Sequence, residues 1–272
     1  MLQQLGLAAL RAIAERGARV GWAATPGGAV RFAVRGPEGA QPLLILHGLG
    51  DSLAGWVQVA GPLARRYRVH LIDLPGHGLS HKPPDWRLRT VEGAVAHYAR
   101  DLRDPVLVGH SLGGWLALRL AVSQALRPAS IALVNPAGAL LAKEQWEPFR
   151  ASVSARDRRG VARYLELAFH RAPLALRLFP SEVIKAMWTE AAQGLLGAIS
   201  EEDFLLEAQL SGLRVPLRLV WGARDRLLPE GTLAFFQRAL PNAEVILLDK
   251  AGHLPHLEAP GQLAQAILRP RC

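Results

Sequence analysis

The chain has 272 residues, half of them hydrophobic and a fifth charged, with a formal net charge of +9. That length and balance fit one sizeable α/β domain with room for an insertion, and they exclude a disordered or fibrous chain. The positive excess is nearly all arginine and is scattered, lysine occurring only at Lys82, Lys143, Lys185 and Lys250. No basic stretch interleaves with aromatics, so no nucleic-acid partner is expected; the charge reads as biased composition on a solvated surface, with attraction to anionic surfaces or substrates as the alternative. No apolar run is long enough to cross a bilayer.

The first residues, Met1 to Arg11, lack a basic stretch ahead of their apolar part, which argues against a signal peptide. Leu2, Leu5, Ala9 and Ile13 recur at helical spacing and predict a short amphipathic helix on the domain surface, with peripheral contact to lipid as the alternative. Arg19 to Ala23 and Val30 to Val34 flank Pro26-Gly27-Gly28 and predict a hairpin. Pro42 to His47 is continuously apolar up to its histidine, as in a strand buried on both faces. A helix from Trp56 to Arg66 and a strand from Tyr67 to Asp73 follow, and Pro75-Gly76-His77-Gly78 breaks the chain into a loop. Next come a helix from Thr90 to Asp101, a strand from Pro105 to His110, a helix from Leu112 to Leu126 and a strand from Ser130 to Asn135.

From Pro136 to about Gly212 the strand rhythm stops, and helical patterns run between Pro148, Pro173 and Pro180. The rhythm resumes with a strand from Val215 to Trp221, a helix from Glu230 to Leu240, a strand from Glu244 to Leu248 and a helix from His256 to Leu268. The alternation predicts an α/β fold, a mostly parallel sheet flanked by helices. Residues 1–135 and 213–272 form the core domain, and residues 136–212 an all-helical insertion. Cys272 is the single cysteine, so no internal disulfide forms; a reducing compartment and a cytoplasmic location are expected.

The segment with the most chemistry is Gly109-His110-Ser111-Leu112-Gly113, lying between a buried strand and a helix. A nucleophile displayed on a sharp strand-to-helix turn needs small neighbours two residues away on each side, and Gly109 and Gly113 supply them. Ser111 then sits at the positive end of the helix that follows. A serine hydroxyl needs a base, and the base needs an orienter. In chain order the candidates are Asp225, just past the strand ending at Trp221, and His253, just past the last strand. His256 is the rival histidine, placed at the start of the final helix. Asp249 reads as a turn residue, Asn135 cannot carry charge, and Glu258 suits a helix N-terminus.

Two backbone N–H groups, of Leu112 and of Leu49 in His47-Gly48-Leu49-Gly50-Asp51, are expected to form an oxyanion hole, with His47 bracing that loop. Asp73 is expected to brace the turn through Ser80. The dispersed histidines and terminal cysteine give no metal or haem spacing, and no dinucleotide fingerprint follows the first strand, so no cofactor is expected.

Together, His47–Asp51, Asp73–Ser80, Gly109–Gly114, Trp221–Asp225 and Gly252-His253 resemble the α/β-hydrolase superfamily, and specifically its compact branch with a helical cap. The resemblance covers nearly the whole chain. It implies an eight-stranded sheet with its second strand antiparallel, and a cap over residues 136–212 that shapes the substrate pocket. Gly48, His110, Trp146, Phe149 and Trp188 are candidate pocket residues, with Phe169 and Met187 beside them. Relatives with an aspartate nucleophile are set aside by Ser111. Carbon–carbon hydrolases often carry Asn, and perhydrolase-type relatives Phe, where this chain has His110. The run from Gly109 to Gly114 is most similar to carboxylesterases and monoacylglycerol-lipase-like enzymes. The resemblance therefore implies a serine hydrolase acting on a small-molecule carboxylic ester with a short or medium acyl chain. A thioester or C–C hydrolase and a non-catalytic ligand-binding relative are the alternatives; the oligomeric state is left open.

Overall fold

The computed structural model describes residue 12, residues 16–154 and residues 156–270. The amphipathic segment expected over residues 2–13 therefore lies, but for Ala12, outside the described residues. Eight strands form one sheet: β1 (Arg19–Ala23), β2 (Val30–Arg35), β3 (Pro42–Leu46), β4 (Arg68–Ile72), β5 (Val106–His110), β6 (Ser130–Val134), β7 (Leu217–Gly222) and β8 (Glu244–Leu248). Their order is β1-β2-β4-β3-β5-β6-β7-β8. β2 runs antiparallel to both β1 and β4, and the other pairs are parallel. The mostly parallel sheet is what the alternating pattern predicted, and its eight strands with an antiparallel second strand are the α/β-hydrolase fold that the resemblance implied.

Parallel neighbours need crossovers, and helices supply them. α1 (Val57–Leu63) links β3 to β4, α2 (Leu88–Ala99) links β4 to β5, and α3 (Leu112–Val122) links β5 to β6. The strands alternate strictly between two apolar layers, because successive side chains point to opposite faces. On β3, Leu44 and Leu46 face Leu116, Leu120, Val91 and Val95, whereas Leu43 and Ile45 face Val59, Leu63, Leu263 and Ile267. Burying each such side chain stabilises the fold by about 1.5–3 kcal/mol.

Between β6 and β7 the chain leaves the sheet for α4 (Lys143–Val153), α5 (Arg158–Ala168), α6 (Leu174–Leu178), α7 (Pro180–Met187), α8 (Glu190–Ala198) and α9 (Glu207–Ser211). Among the described residues, its one β feature is an isolated bridge from Ala139 to Leu205. This excursion has a small apolar cluster of its own, built on Val153, Val161, Leu165, Phe169 and Val183 and joined by Leu227 of the main body. After β7 come α10 (Thr232–Ala239), β8, α11 (Pro255–Glu258) and α12 (Pro260–Leu268). The single last helix expected from His256 is thus two. Ala259 before Pro260 sits at φ −141°, ψ 50°, outside the helical region that a following proline disfavours. The helix expected from Trp56 likewise opens as a 3-10 turn over Leu53–Trp56. No helix of the described residues is long and apolar enough to cross a membrane.

Several histidines are buried in the neutral form. Burial, helped by Arg68 and Arg19, holds His70 down to about 4. Burial and the neighbouring His47 hold His77 down to about 3. His110 is pushed well below its ordinary range by burial and by His256 and His253. The unfolded chain therefore binds more protons than the native one between the ordinary histidine value of about 6.5 and these lowered values, so stability falls as pH falls through that window. Each unit of depression is worth about 1.4 kcal/mol. The melting temperature should decline steadily from pH 6.5 to 5, above the range in which carboxyl groups of the unfolded chain such as that of Asp225 begin to protonate and add to the loss. A flat profile over that interval would contradict it.

Candidate active site

β5, β6, β7 and β8 are adjacent and parallel, so their carboxyl ends lie along one edge of the sheet. Ser111 follows β5, Asn135 follows β6, Asp225 lies just after β7, and His253 lies just after β8. Ser111 sits at φ 50°, ψ −115°, a left-handed backbone conformation rare for a residue with a side chain. Strain of this kind costs on the order of 1–3 kcal/mol and persists only where the surroundings impose it. Here they do. The Ser111 N–H donates to the Val134 carbonyl (3.0 Å), and its own carbonyl accepts from Trp115 (3.0 Å) and Ala137 (3.1 Å). A side chain at Gly109 would collide with the Gly113 carbonyl, and one at Gly113 with the Leu46 carbonyl, so both small neighbours of the turn are dictated by backbone contact.

His253 Nδ1 and Asp225 Oδ2 are 2.8 Å apart, and both side chains are almost wholly buried. The carboxylate is held from every side. Oδ1 accepts from the N–H groups of Leu227 (2.9 Å) and Leu228 (3.2 Å), and Oδ2 accepts from Asn135 Nδ2 (2.6 Å). Burial alone would raise the Asp225 carboxyl; His253 and these donors overcome it and keep the group below the usual carboxylate range. Asn135 Oδ1 in turn accepts from the Gly222 N–H (3.1 Å).

The histidine loop is pinned as firmly. The His253 N–H donates to the Ala168 carbonyl (2.7 Å), tying the loop to α5. Glu258 accepts from Gly252 through Oε2 (2.7 Å) and from His170 and Arg171 through Oε1 (2.9 and 3.0 Å). The His253 carbonyl is 2.7 Å from His110 Nε2, so His110 donates there; its ring centroid lies 4.9 Å from that of His253. The residue directly before Ser111 is thus in contact with the residue carrying the candidate base.

The loop after β3 closes the other side. His47 donates through Nδ1 to the Gly48 carbonyl (2.7 Å) and accepts the Leu74 N–H at Nε2 (2.9 Å), holding the loop as a brace. A Cβ on Gly48 would stand 2.7 Å from His110 Nδ1 and 3.3 Å from Ser111 Cβ, which places this backbone directly over the serine turn. Leu49 follows Gly48 there, and Leu112 opens α3, where a first-turn N–H has no intrahelical acceptor. Asp73 accepts from Leu53 and Leu79 (2.8 Å each), holding the next loop.

Under the site, Asp51 Oδ2 accepts from Trp56 Nε1 (3.1 Å) and lies 3.3 Å from His256 Nε2. His256 stacks flat on Trp56, with centroids 4.7 Å apart and planes 5° apart. Asp51, His110 and His256 bring ligand-type atoms within 4.8 Å of one another, the one such grouping found among the described residues. Asp51 holds Trp56 and His110 holds the His253 carbonyl, which links the two loops, whereas His110 Nδ1 and both ring nitrogens of His256 are buried without a hydrogen-bond partner among the described residues.

The expected pocket residues are dispersed. Gly48 and His110 adjoin Ser111. Trp146 packs edge-on against Phe149 (5.4 Å) and against Phe204, and it lines a cleft of about 550 Å³ with Leu141, Ile199 and Phe204. Phe149 lines a separate cleft with Leu227 and Leu228. Phe169 lies in the excursion's own cluster, and Trp188 lies under the guanidinium of Arg156 (4.1 Å). Sequence reasoning missed the parts played by Asn135, Glu258, His256 and Asp51; apart from Trp56 for Asp51 and Gly252 for Glu258, their partners lie far along the chain.

Fold and site together define an α/β hydrolase. The chain matches the alpha/beta hydrolase family over residues 43–266 and belongs to that family. It is 34% identical over 244 residues to the dihydrolipoyllysine-residue acetyltransferase component of an acetoin cleaving system from Cupriavidus necator, covering 84% of this chain. It spans only 63% of that relative's length. It is 28% identical over 253 residues to the pimeloyl-[acyl-carrier protein] methyl ester esterase of Aeromonas hydrophila, covering 86% of this chain and 94% of that protein. Among solved structures it superposes on a membrane phospholipase A with a TM-score of 0.84 and 26% identity, over 98% of this chain and 91% of that one.

Proposed function

We propose that the protein hydrolyses small-molecule carboxylic esters through an acyl-Ser111 intermediate, with His253 as base and Asp225 as its orienter. The observation that carries this reading is the strained Ser111 turn standing at the same sheet edge as the buried Asp225–His253 pair. Because Nδ1 of His253 donates to Asp225, Nε2 is left as the proton acceptor. It removes the Ser111 hydroxyl proton as Oγ attacks the ester carbonyl. The oxyanion that forms is met by the N–H groups of Leu49 and Leu112. Collapse breaks the bond to the alcohol, which leaves with the proton from His253, and a water activated in the same way releases the acid. No step calls on a cofactor.

Residues 136–212 act as a cap that bounds an acyl pocket for a short or medium chain. The methyl ester esterase name of one relative agrees with ester chemistry. The single cysteine agrees with a cytoplasmic location. The test is a panel of p-nitrophenyl esters of increasing chain length beside thioesters and vinylogous diketones, with fluorophosphonate labelling. Ester turnover with labelling at Ser111 is expected; absence of labelling would leave a binding protein, and preference for the diketones a carbon–carbon hydrolase.

A further inference from the structure

Among the described residues, the two most exposed large hydrophobic side chains are Leu174 (67%) and Leu178 (60%), and Phe179 follows directly. Leu174 and Leu178 are four apart on α6 and so share one face. The opposite side of α6 is anchored, since Leu176 packs on the cluster of Phe169 and Val183. This short helix is therefore apolar on both sides, and one of those sides meets water. Patches of this kind, rimmed by polar groups, mark contact with a partner or a membrane.

The rim here is cationic. Arg158, Arg171, Arg177 and Arg226, with Glu166 as a single carboxylate among them, line an open cleft of about 850 Å³ beside α6, over an apolar floor that includes Val161 and Leu165. No carboxylate among the described residues pairs with Arg158, Arg171 or Arg177. Residues 156–188 carry seven arginines and lysines against three carboxylates, in a chain whose net charge is +9.

We propose that the α6 corner docks on an anionic lipid surface. Leu174, Leu178 and Phe179 project as convex tips and enter the acyl boundary, while the arginines behind them meet phosphate groups a few ångströms above. Hydrocarbon beneath a layer of negative charge is the surface this order of groups complements. Docking places the helical excursion against the source of substrate, and it is independent of which ester is cleaved.

The test is co-sedimentation of the full chain with vesicles of phosphatidylglycerol and phosphatidylcholine in equal parts, and with phosphatidylcholine alone. The protein should pellet with the anionic vesicles, weakly with the neutral ones, and less at high salt. Arg158→Glu with Arg177→Glu, and separately Leu174→Ser with Leu178→Ser and Phe179→Ser, should each lower the partition coefficient by at least about tenfold. Turnover of a soluble p-nitrophenyl ester should stay unchanged in both, which shows the fold and site intact. A protein that stays in the supernatant with anionic vesicles overturns the proposal. So do variants that pellet like the parent, because the contact would then lie elsewhere.

Discussion

Ser111→Ala should lower ester turnover by a factor of roughly 10³–10⁶, and adding His253→Ala should lower it little further. The magnitude follows from the proposed division of labour. Removing Oγ abolishes the acyl-enzyme route, and what remains is the binding and oxyanion stabilisation that the Leu49 and Leu112 amides offer a water molecule. Each factor of ten is about 1.4 kcal/mol of barrier, so the loss is about 4–8 kcal/mol. His253→Ala alone should cost nearly as much, since a serine without its base is close to inert at neutral pH. Non-additivity is the discriminating feature. Two residues acting independently would multiply their effects, whereas members of one proton-transfer unit fail together. The measurement is kcat and KM for the parent, both single variants and the double. Activity within tenfold of the parent in Ser111→Ala, or a double variant equal to the product of the singles, would refute the assignment of these roles. Because alanine has the same backbone preferences as serine in the strained turn, the melting temperature should barely move, and loss of activity cannot be charged to unfolding.

Gly113→Ala should disrupt the fold itself, with the melting temperature falling by more than about 10 °C or no soluble protein recovered. Gly113 does not need unusual torsion angles. It needs the absence of a side chain, because a Cβ there would run into the Leu46 carbonyl group and also crowd the His47 carbonyl. Leu46 is the last residue of the buried central strand β3, paired with Gly109 of β5, and the four residues before it pair with β4. Such backbone atoms cannot swing aside as a flexible side chain does. The first turn of α3 would have to lift from the sheet, taking Ser111 and Leu112 with it and opening the packing of Leu116 and Leu120. Overpacking a well-filled core commonly costs 1–3 kcal/mol, and a collision with fixed backbone on this scale exceeds that. Gly93→Ala is the matched control. It lies mid-helix in α2 with nothing within 4 Å of the position a Cβ would take, and it should stabilise the protein by about 0.5–1 kcal/mol. Thermal denaturation of the two variants decides the matter, and a Gly113→Ala protein as stable as the parent would show that the serine turn tolerates what the geometry forbids.

How far the site was legible in the sequence depends on the range of each interaction. Ser111 announced itself because its turn is a local steric problem, solved by Gly109 and Gly113 within two residues on either side. Asp225 and His253 were legible as candidates because each follows a recognisable strand. His47 was read correctly as a brace, and the Asp73 carboxylate as the clamp of its loop. Asn135 cannot carry charge, which hides its role in the sequence: its amide serves Asp225 as a donor across 90 residues of chain. Glu258 was given a helix-end role, yet it accepts from Gly252 and from two amides after α5. Nothing in a spacing rule foretells a carboxylate that reaches across to another loop.

The sequence alone determined the alternation of strands and helices, the switch to an all-helical stretch after β6, and the glycines that let a serine stand at a sharp turn. Those features follow from side-chain period and from local sterics, which act over a few residues. Tertiary structure decided that the last helix is cut at Pro260, that Asp51, His256 and Trp56 pack together beside the loop after β3, and that Leu174 and Leu178 face water rather than core. Burial and long-range hydrogen bonding depend on which elements come to lie side by side. That is settled by the packing of the whole sheet and its helices, not by any one segment of the chain.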